Sequence, residues 1–249
     1  MNITGNTVFI PGATSGIGLG LALRLRARGN TVIVGGRRTA LLEQLRTEHA
    51  GLGTIAVDTT DPASIAAARD ELAQRYPDLD TLITMAGIME PEDLRDPASL
   101  DVAERTVTVN LLGPIRLINA FLPGLAARPA ATIMTVTSGL AYVPLPLTPT
   151  YNATKAAVHS YTESLRVQLA GTAVQVIELV PPATRTTLMR QEQDEHAMPL
   201  DEYLDEVMAL LEADPRAEQI LVERVKFLRN AVPEGRYRDV LAALSGYRS

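Results

Sequence analysis

The chain has 249 residues, 46% of them hydrophobic, and carries a formal net charge of −6 with a pI near 5.2. This composition is sufficient for one sizeable core, and the acidic balance with scattered arginines argues against a nucleic-acid partner. The absence of cysteine excludes disulfides and thiolate metal sites. The start of the chain shows neither a basic leader nor a long apolar helix. Together these observations predict a cytoplasmic protein with no bound metal and no membrane partner.

Short apolar runs rich in β-branched residues alternate along the chain with longer amphipathic stretches. The runs predict strands at residues 7–10, 31–34, 53–57, 81–85, 132–137 and 174–180. The longer stretches predict helices at residues 17–28, 39–48, 62–74, 99–125 and 151–169. Continuously hydrophobic strands suit a parallel sheet that helices cover on both faces. The alternation therefore predicts an α/β fold, a Rossmann-type doubly wound parallel sheet, in a single domain over residues 1–249.

The alternation ends after residue 180, where the chain becomes charged and methionine-bearing. A segment beyond the last long strand lies at the carboxyl ends of the strands, where open α/β sheets bind ligands. Residues 182–215 are therefore predicted to form a substrate lid. The alternative is a solvated helical hairpin whose methionines are tucked into the core.

A glycine-rich turn follows the first predicted strand and opens the first predicted helix. Its glycines allow a tight bend, so that backbone NH groups at the helix N-terminus can approach a pyrophosphate. The spacing Gly-x3-Gly-x-Gly differs from the common Gly-x-Gly-x2-Gly fingerprint, and a purely structural turn is the alternative. The residues predicted to contact a cofactor here are Gly12, Thr14, Ser15, Gly16, Ile17 and Gly18.

The end of the second predicted strand indicates which dinucleotide would bind. An acidic side chain there would accept a hydrogen bond from a free ribose 2′-hydroxyl, whereas arginine would pair with a 2′-phosphate. The chain has Arg37 and Arg38 and no carboxylate at this point, which predicts NADP(H), with Ser15 adding a hydroxyl. Asp58 follows the third strand, and it either accepts from the adenine amino group or caps the helix that begins near Pro62.

Tyr151 and Lys155 are four residues apart in a predicted helix and therefore share a face. A nearby cation favours the phenolate, which would lower the pKa of Tyr151 from its usual value of about 10 and suit it to proton transfer. Lys155 is one of only two lysines in the chain. A tyrosine and a basic residue at this spacing are also a common surface pair, and the pattern alone leaves that alternative open.

Taken in order, these motifs resemble the short-chain dehydrogenase/reductase family over residues 7–190. Besides the glycine turn and the Tyr-x3-Lys pair, the chain matches the family's Ala-Gly after the fourth strand, its asparagine in the next helix and its serine. The matching residues are Ala86, Gly87, Asn110 and Ser138. The sequences around Asn110, Tyr151 and Pro181 are most similar to the bacterial DltE-like oxidoreductases.

The resemblance implies hydride transfer between NADP(H) and a ketone, aldehyde or secondary alcohol, with Tyr151 exchanging the proton of the oxygen. It implies that Lys155 holds the nicotinamide ribose and lowers the Tyr151 pKa. It implies that Ser138 stabilises the alkoxide and that Asn110 anchors a water. Alternatively, Ser138 is only a turn residue, and Asn110 is a buried amide that braces its helix. The remaining residues that the resemblance assigns to the cofactor are Ala86, Gly87, Pro181, Thr184 and Thr186.

Two other activities of the same fold stay open. One is a cofactor-binding regulator or sensor. The sign of such a protein would be the loss of Ser138, Tyr151 or Lys155, but the chain has all three residues. The other is an epimerase or dehydratase that uses the hydride transiently, for which cofactor retained through purification would be the sign.

Three positions depart from the family pattern. Pro11 replaces the threonine before the first glycine, and Thr84-Met85 replaces a pair of asparagines. Because both Pro11 and the Thr84-Met85 pair replace polar residues that support each other in the family, we expect the contact between them to change without leaving a polar group unpaired. Cofactor binding should be kept. Pro182 replaces a glycine and stiffens the turn after the sixth strand.

The substrate pocket is predicted to be mostly apolar and to bind a small-molecule carbonyl or alcohol. Residues expected along its walls are Ile88, Met89, Leu140, Tyr142, Leu145, Leu188 and Met189. Recognition of a charged group by Glu90, Arg185 and Arg190 is the alternative. The resemblance also implies a homodimer or homotetramer formed through the predicted helices at residues 99–125 and 151–169.

Overall fold

The computed structural model describes residues 1–246, apart from the side chains of residues 190–192. Its strands are β1 Thr7–Pro11, β2 Thr31–Gly36, β3 Gly53–Ala56, β4 Thr81–Thr84, β5 Ala131–Val136, β6 Val174–Leu179 and β7 Gln219–Ile220. They form one sheet in the order β3-β2-β1-β4-β5-β6-β7, and every neighbouring pair is parallel. The strand order reverses between β1 and β4, which confirms the predicted doubly wound, Rossmann-type sheet.

All the helices but the last two, which follow β7, connect successive strands across both faces of the sheet. They are α1 Gly16–Ala27, α2 Thr39–Glu48, α3 Pro62–Arg75, α4 Ser99–Val107, α5 Gly113–Ala126, α6 Pro149–Gln168, α7 Leu200–Ala213, α8 Lys226–Arg229 and α9 Tyr237–Ser245. The helix predicted over residues 99–125 divides into α4 and α5, which a π-helical turn at Thr108–Leu112 joins. Pro114 has no NH to donate to the carbonyl of Asn110, and this missing bond favours the wider turn.

Alternate side chains of the strands pack into two core layers. On β1, Val8 and Ile10 belong to the layer beneath α1, whereas Phe9 belongs to the layer beneath α3, α5 and α6. The Phe9 ring lies 5.4 Å from the ring of Phe121 in α5, centroid to centroid. Because successive strand side chains point to opposite faces, burial on both sides identifies β1 as a central strand.

Helix α7 belongs to the core, which corrects its inclusion in the predicted lid. Leu204 packs so closely against α1 that a Cβ at Gly20 would lie 2.3 Å from its Cδ1. Met198 and Met208 are buried in the same layer. The segment from residue 200 to 213 is therefore a packed helix, and the lid prediction now applies only to residues 182–198.

Truncation of Leu204 tests whether α7 is a core helix. We expect Leu204→Ala to lower the free energy of unfolding in urea by ~2–5 kcal/mol, because it leaves a cavity between α1 and α7. Leu188→Ala is the control, since that side chain is 37% exposed, and it should cost ~0.5 kcal/mol or less. Equal, small losses in the two variants would contradict the placement of α7 in the core.

Residues 99–126 are continuously helical over 28 residues, and the most apolar 18-residue window within them has a mean hydropathy of 1.3. By length and composition alone this stretch could cross a membrane. In the fold, 39% of its most apolar window is buried, with α4 against α6 and α5 against α3 and the sheet. Core helices of soluble proteins meet the same criteria, so the stretch is weak evidence for a membrane span.

Candidate active site

A cavity of about 660 Å³ opens at the carboxyl edge of the sheet. Its volume falls in the usual range for small-molecule and cofactor sites. The cavity brings the glycine turn at one end together with the predicted catalytic residues at the other. The predicted site residues that line it are Gly12, Ser15, Gly16, Ile17, Gly18, Gly87, Ser138, Tyr151, Lys155, Pro181, Thr184 and Thr186.

The glycine turn depends on the absence of side chains at two of its positions. Gly12 has φ +87°, and a Cβ there would lie 2.4 Å from the Cα of Ala86 on the loop after β4. A Cβ at Gly18 would lie 2.8 Å from the Cα of Ala13. The turn therefore packs against neighbouring backbone and begins α1 at the cavity wall. First-turn NH groups of a helix have no intrahelical acceptor, so this end of the cavity fits a pyrophosphate.

The predicted ribose and adenine residues lie at the ends of neighbouring strands, beyond the cavity lining. Arg37 and Arg38 follow β2 and are exposed. The Arg38 guanidinium donates to Thr14 Oγ1 at 3.3 Å, which ties this end of β2 to the glycine turn. Arg38 is thus placed to meet a phosphate beside the turn, and Arg37, the preceding residue, lies close enough to Asp58 for its charge to lower the pKa of that carboxyl.

Asp58 follows β3 in a local turn. Its Oδ1 accepts from the NH of Thr60 at 2.9 Å and from the Thr60 hydroxyl at 2.7 Å. Burial alone would raise the pKa of Asp58, but these hydrogen bonds and the charge of Arg37 outweigh it and lower the pKa. Asp61 is the residue that caps α3, by accepting from the NH of Ala63 at 2.9 Å. The helix-capping alternative for Asp58 is therefore wrong, and its adenine contact stays a prediction.

Tyr151 and Lys155 lie on one face of α6 and are both buried. The Lys155 ammonium donates to the carbonyl of Val136 at 2.8 Å and lies 5.6 Å from the centroid of the Tyr151 ring. The Ser138 hydroxyl accepts from the NH of Leu140 at 3.1 Å, so it does cap the turn that follows β5. The same hydroxyl hydrogen-bonds to Tyr151. Three chemically active side chains thus converge at one end of the cavity.

The protein on its own does not lower the Tyr151 pKa as the spacing predicted. Burial raises the pKa of Tyr151 to about 12, and only the hydrogen bond with Ser138 opposes this rise. Burial likewise lowers the pKa of Lys155 to about 8. Desolvation of both charged forms outweighs the attraction between them, because the ammonium is directed to the Val136 carbonyl rather than to the phenol.

Asn110 lies in the π-helical turn and is fully buried. Its Nδ2 donates to the carbonyl of Ile88 at 2.8 Å, and its Oδ1 accepts from the NH of Ile88 at 2.8 Å. Asn110 is thus a buried amide, as the alternative expected, but its two-point contact braces the loop that carries Ala86 and Gly87 rather than its own helix. The role of Asn110 in holding a water stays a prediction.

The loop after β6 places two of the predicted threonines differently. The Thr184 hydroxyl donates to the carbonyl of Pro182 at 3.1 Å and is buried. Thr186 lies against the glycine turn, 3.3 Å from the position that a Cβ at Gly16 would occupy. This geometry favours Thr186 over Thr184 as a cofactor contact. Pro182 and Thr187 also line the cavity.

The substituted scaffold positions leave one polar atom without a partner. Pro11 ends β1. The Met85 side chain packs against the start of α1, because its Cγ would lie 2.8 Å from a Cβ at Gly18. The buried hydroxyl of Thr84 has no hydrogen-bond partner among the described residues. The expectation that the paired changes leave nothing unpaired is therefore wrong on the Thr84 side.

The walls of the substrate end are mostly apolar. Of the predicted wall residues, the cavity is lined by Met89, Leu140, Leu145 and Leu188. Two of the predicted charge-recognising residues are engaged elsewhere: Glu90 pairs with Arg105 at 3.0 Å, and Arg185 donates to the carbonyl of Asp194 at 3.0 Å. The side chain of the third, Arg190, lies outside the described residues.

The C-terminal region supplies a wall that the sequence interpretation missed. Phe227 and Leu228 of α8 and Leu244 of α9 line the cavity, as does Arg224 just before α8. The helices of this region are short, with four residues in α8 and nine in α9, and no sequence motif shows that they return to the site.

Glu92 is a second residue that sequence reasoning missed. It is buried on the loop after β4, and its carboxylate accepts from the NH of Thr150 at 2.9 Å and from the Thr150 hydroxyl at 2.6 Å. A carboxylate at a helix N-terminus satisfies a free NH and complements the helix dipole. Glu92 therefore anchors the start of α6 next to Tyr151. Because the contact spans 58 residues of sequence, no local capping pattern reveals it.

Comparison with known proteins identifies the family of this chain. A family model described as short chain dehydrogenase matches residues 6–197. The uncharacterized oxidoreductase DltE of Bacillus subtilis is 37% identical over 237 residues, covering 93% of each chain. A sulfoacetaldehyde reductase of Chromohalobacter salexigens is 34% identical over 76% of this chain and 78% of its own. The crystal structure of a short chain dehydrogenase from Burkholderia cenocepacia in complex with NADP matches with a TM-score of 0.82 and 26% identity, over all of both chains. The predicted family is confirmed, and this chain belongs to the short-chain dehydrogenase family of oxidoreductases.

Proposed function

We propose that this protein is an NADP(H)-dependent carbonyl reductase that acts on a ketone or aldehyde, or on the corresponding alcohol in reverse. The observation that carries the proposal is the convergence of Ser138, Tyr151 and Lys155 at one end of a cavity whose other end is a bare glycine turn. When bound, the nicotinamide group supplies the hydride. The contribution of the protein is orientation, proton transfer and exclusion of water.

The protonation state of Tyr151 provides the acid that the reduction step needs. A tyrosine whose pKa is about 12 carries its proton at neutral pH, and the neutral phenol is the form that can protonate a carbonyl oxygen. The Ser138 hydroxyl, hydrogen-bonded to Tyr151, is placed to donate to the same oxygen as negative charge develops there. Lys155 would hold the nicotinamide ribose hydroxyls, and its ammonium would stabilise a phenolate formed after the proton leaves.

The preference for NADP(H) rests on the arginines after β2. Arg37 and Arg38 are both exposed, and Arg38 contacts the glycine turn, so guanidinium groups are available to a 2′-phosphate that binds there. The relative from Burkholderia cenocepacia was solved with NADP, which supports the same choice. Other residues proposed to hold the cofactor are Gly12, Thr14, Ser15, Gly16, Ile17, Gly18, Asp58, Ala86, Gly87, Pro181, Thr184 and Thr186.

Replacing Arg37 with alanine tests the cofactor preference. We expect the KM for NADPH to rise about 10- to 100-fold with the KM for NADH nearly unchanged, because a charge-assisted hydrogen bond to the phosphate contributes ~1.5–3 kcal/mol. Arg46→Ala, an exposed arginine on α2 paired with Glu43, is the matched control and should change neither constant. A wild type that already prefers NADH, or an Arg37→Ala variant that loses both cofactors equally, would overturn the assignment.

The substrate is proposed to be largely apolar, since the wall opposite the cofactor turn is formed by Met89, Leu140, Leu145, Leu228 and Leu244. The test follows NADPH absorbance with aliphatic, aromatic and quinone carbonyls, and with sulfoacetaldehyde as the anionic comparison. Consumption with the apolar carbonyls supports the proposal. If NADPH is consumed only with sulfoacetaldehyde, the site recognises an anionic substrate and the proposal of an apolar one is wrong. If NADPH binds but is consumed with none of these carbonyls, the proposal of a carbonyl reductase is wrong.

Assembly into a homodimer or homotetramer is part of the same proposal. Exposed apolar side chains occur along the helices that the family resemblance implicates, including Leu100 of α4, Leu112 beside α5 and Val167 of α6. Light scattering of the purified protein distinguishes a monomer from these assemblies.

A further inference from the structure

The carboxylate of Glu178, on β6, is fully buried and belongs to no part of the site described above. An ionised carboxylate has about four positions at which it can accept hydrogen bonds. Here four groups approach it. They are Thr137 Oγ1 at 2.6 Å, Gln219 Nε2 at 2.6 Å, His159 Nδ1 at 2.9 Å and the Tyr142 hydroxyl at 3.4 Å.

These contacts keep the buried group ionised. Burial by itself would raise the pKa of Glu178, but the hydrogen bonds from His159, Thr137 and Gln219 and the charge of His159 outweigh it and lower the pKa. The hydrogen bond with Glu178 raises the pKa of His159 in turn, although burial opposes the rise. Burial and the charge of Glu178 raise the pKa of Tyr142 to about 12, so its phenol stays a donor.

Two further charged groups face this cluster. The Arg229 guanidinium lies 4.6 Å from the centroid of the Tyr142 ring and donates to Gln219 Oε1 at 3.2 Å. On α6 itself, a carboxylate oxygen of Glu163 lies 3.8 Å from His159 Nε2 and is largely exposed. The buried carboxylate therefore has cations on two sides and a solvated anion beyond the imidazole.

Three of the four partners of Glu178 come from the segments that carry the catalytic groups, and the fourth, Gln219, is on β7. Thr137 immediately precedes Ser138, and Tyr142 closes the short 3₁₀ turn that Ser138 caps. His159 lies one helical turn after Lys155 on α6. One side chain thus links the serine turn, defined as residues 137–142, to the catalytic helix α6 and to β7. Glu178, His159 and Tyr142 do not line the cavity, whereas Thr137 and Ser138 do, so any effect on chemistry must pass through the serine turn or α6.

We propose that Glu178, held by His159, is a positioning residue that fixes the serine turn against α6 and thereby sets the distance between the Ser138 and Tyr151 hydroxyls. The proposal rests on the proposed carbonyl reduction. When one partner is removed, the buried carboxylate lacks a hydrogen bond, which is unfavourable. Movement of the serine turn, which supplies Thr137 and Tyr142, would reduce this cost most easily. Catalytic hydrogen bonds tolerate little displacement, so the consequence is a slower chemical step with unchanged cofactor binding.

The test compares Glu178→Gln, His159→Leu, the double variant and His159→Asn. We expect kcat to fall about 10- to 100-fold in each of the first two, with the Kd for NADPH within about threefold of wild type. The double variant should fall no further than either single change, because both act through one contact. His159→Asn places an amide NH near the position of Nδ1 and should restore kcat to within about threefold. Glu163→Gln, at the exposed neighbour of the same imidazole, should leave kcat unchanged.

A second readout keeps the inference separate from the proposed function. Hydrogen exchange of the peptide covering the serine turn should speed up in Glu178→Gln and His159→Leu and return toward wild type in His159→Asn. If wild type reduces no carbonyl, the proposed function fails and exchange alone decides whether Glu178 holds the turn. Loss of thermal stability with kcat and exchange unchanged, or additive losses in the double variant, would overturn the inference.

Discussion

Tyr151→Phe should reduce kcat for carbonyl reduction by about 10²- to 10⁴-fold, the usual contribution of a positioned general acid. The substitution removes the phenolic hydroxyl and keeps the ring, which packs with Met89 and Leu145. The fold and the glycine turn should therefore be unaffected, and the Kd for NADPH should stay within about threefold. NADPH absorbance with the best carbonyl from the substrate panel measures the first quantity, and fluorescence titration of NADPH measures the second.

Tyr161→Phe is the matched control for this result. It makes the same chemical change on the same helix, at a half-buried tyrosine whose ring packs in the other core layer. We expect kcat within about twofold of wild type. If Tyr151→Phe retained more than a tenth of the wild-type kcat, proton transfer would have to come from another group, and the proposed role of Tyr151 would be wrong.

Lys155→Met should abolish turnover and, at neutral pH, make the protein more stable. The lowering of the Lys155 pKa from 10.5 to about 8 corresponds to ~3 kcal/mol against the charged form in the folded protein. Below pH 8 Lys155 is protonated in both the folded and the unfolded chain, so the folded state bears the full cost of burying the ammonium. Between pH 8 and 10.5 the unfolded chain binds more protons than the folded one, so wild-type stability rises with pH.

Methionine removes this cost but leaves the Val136 carbonyl without its donor, which subtracts ~1–2 kcal/mol. The net expectation is a gain of ~1–2 kcal/mol at pH 7 that shrinks as the pH approaches 10. Urea denaturation of wild type and Lys155→Met at several pH values measures it. Lys226→Met, which removes the exposed lysine that pairs with Glu223, should show no such gain. A Lys155→Met variant less stable than wild type at pH 7 would contradict the desolvation argument.

The parts of this structure that follow short-range rules could be predicted from sequence. Buried strands such as β1 show continuous apolar residues, and the doubly wound sheet follows from their alternation with helices. The glycine turn and the Tyr151–Lys155 pair are short motifs with a mechanical meaning, and both line the cavity. These features depend on residues that are neighbours in the chain or one helical turn apart.

The features that were missed depend on contacts between distant parts of the chain. The acidic residues of helix α7 suggested a solvated segment, yet Arg24 of α1 pairs with Asp201 at 3.0 Å and with Asp205 at 2.9 Å, and the opposite face of the helix is buried. The raised pKa of Tyr151 follows from burial, which the spacing to Lys155 does not reveal. The buried carboxylates of Glu92 and Glu178 likewise acquire their meaning only from folded partners.

The central claim is that this cavity joins a nicotinamide cofactor to a carbonyl with Tyr151 as the proton donor. The most direct measurement uses NADPH carrying deuterium at the transferable position of the nicotinamide, with product analysis by mass spectrometry. Wild type should deliver one deuterium to the former carbonyl carbon of an apolar substrate, and Tyr151→Phe should deliver almost none over the same time. Tight NADPH binding without label transfer to any carbonyl of the panel, or equal transfer by both proteins, would contradict the account.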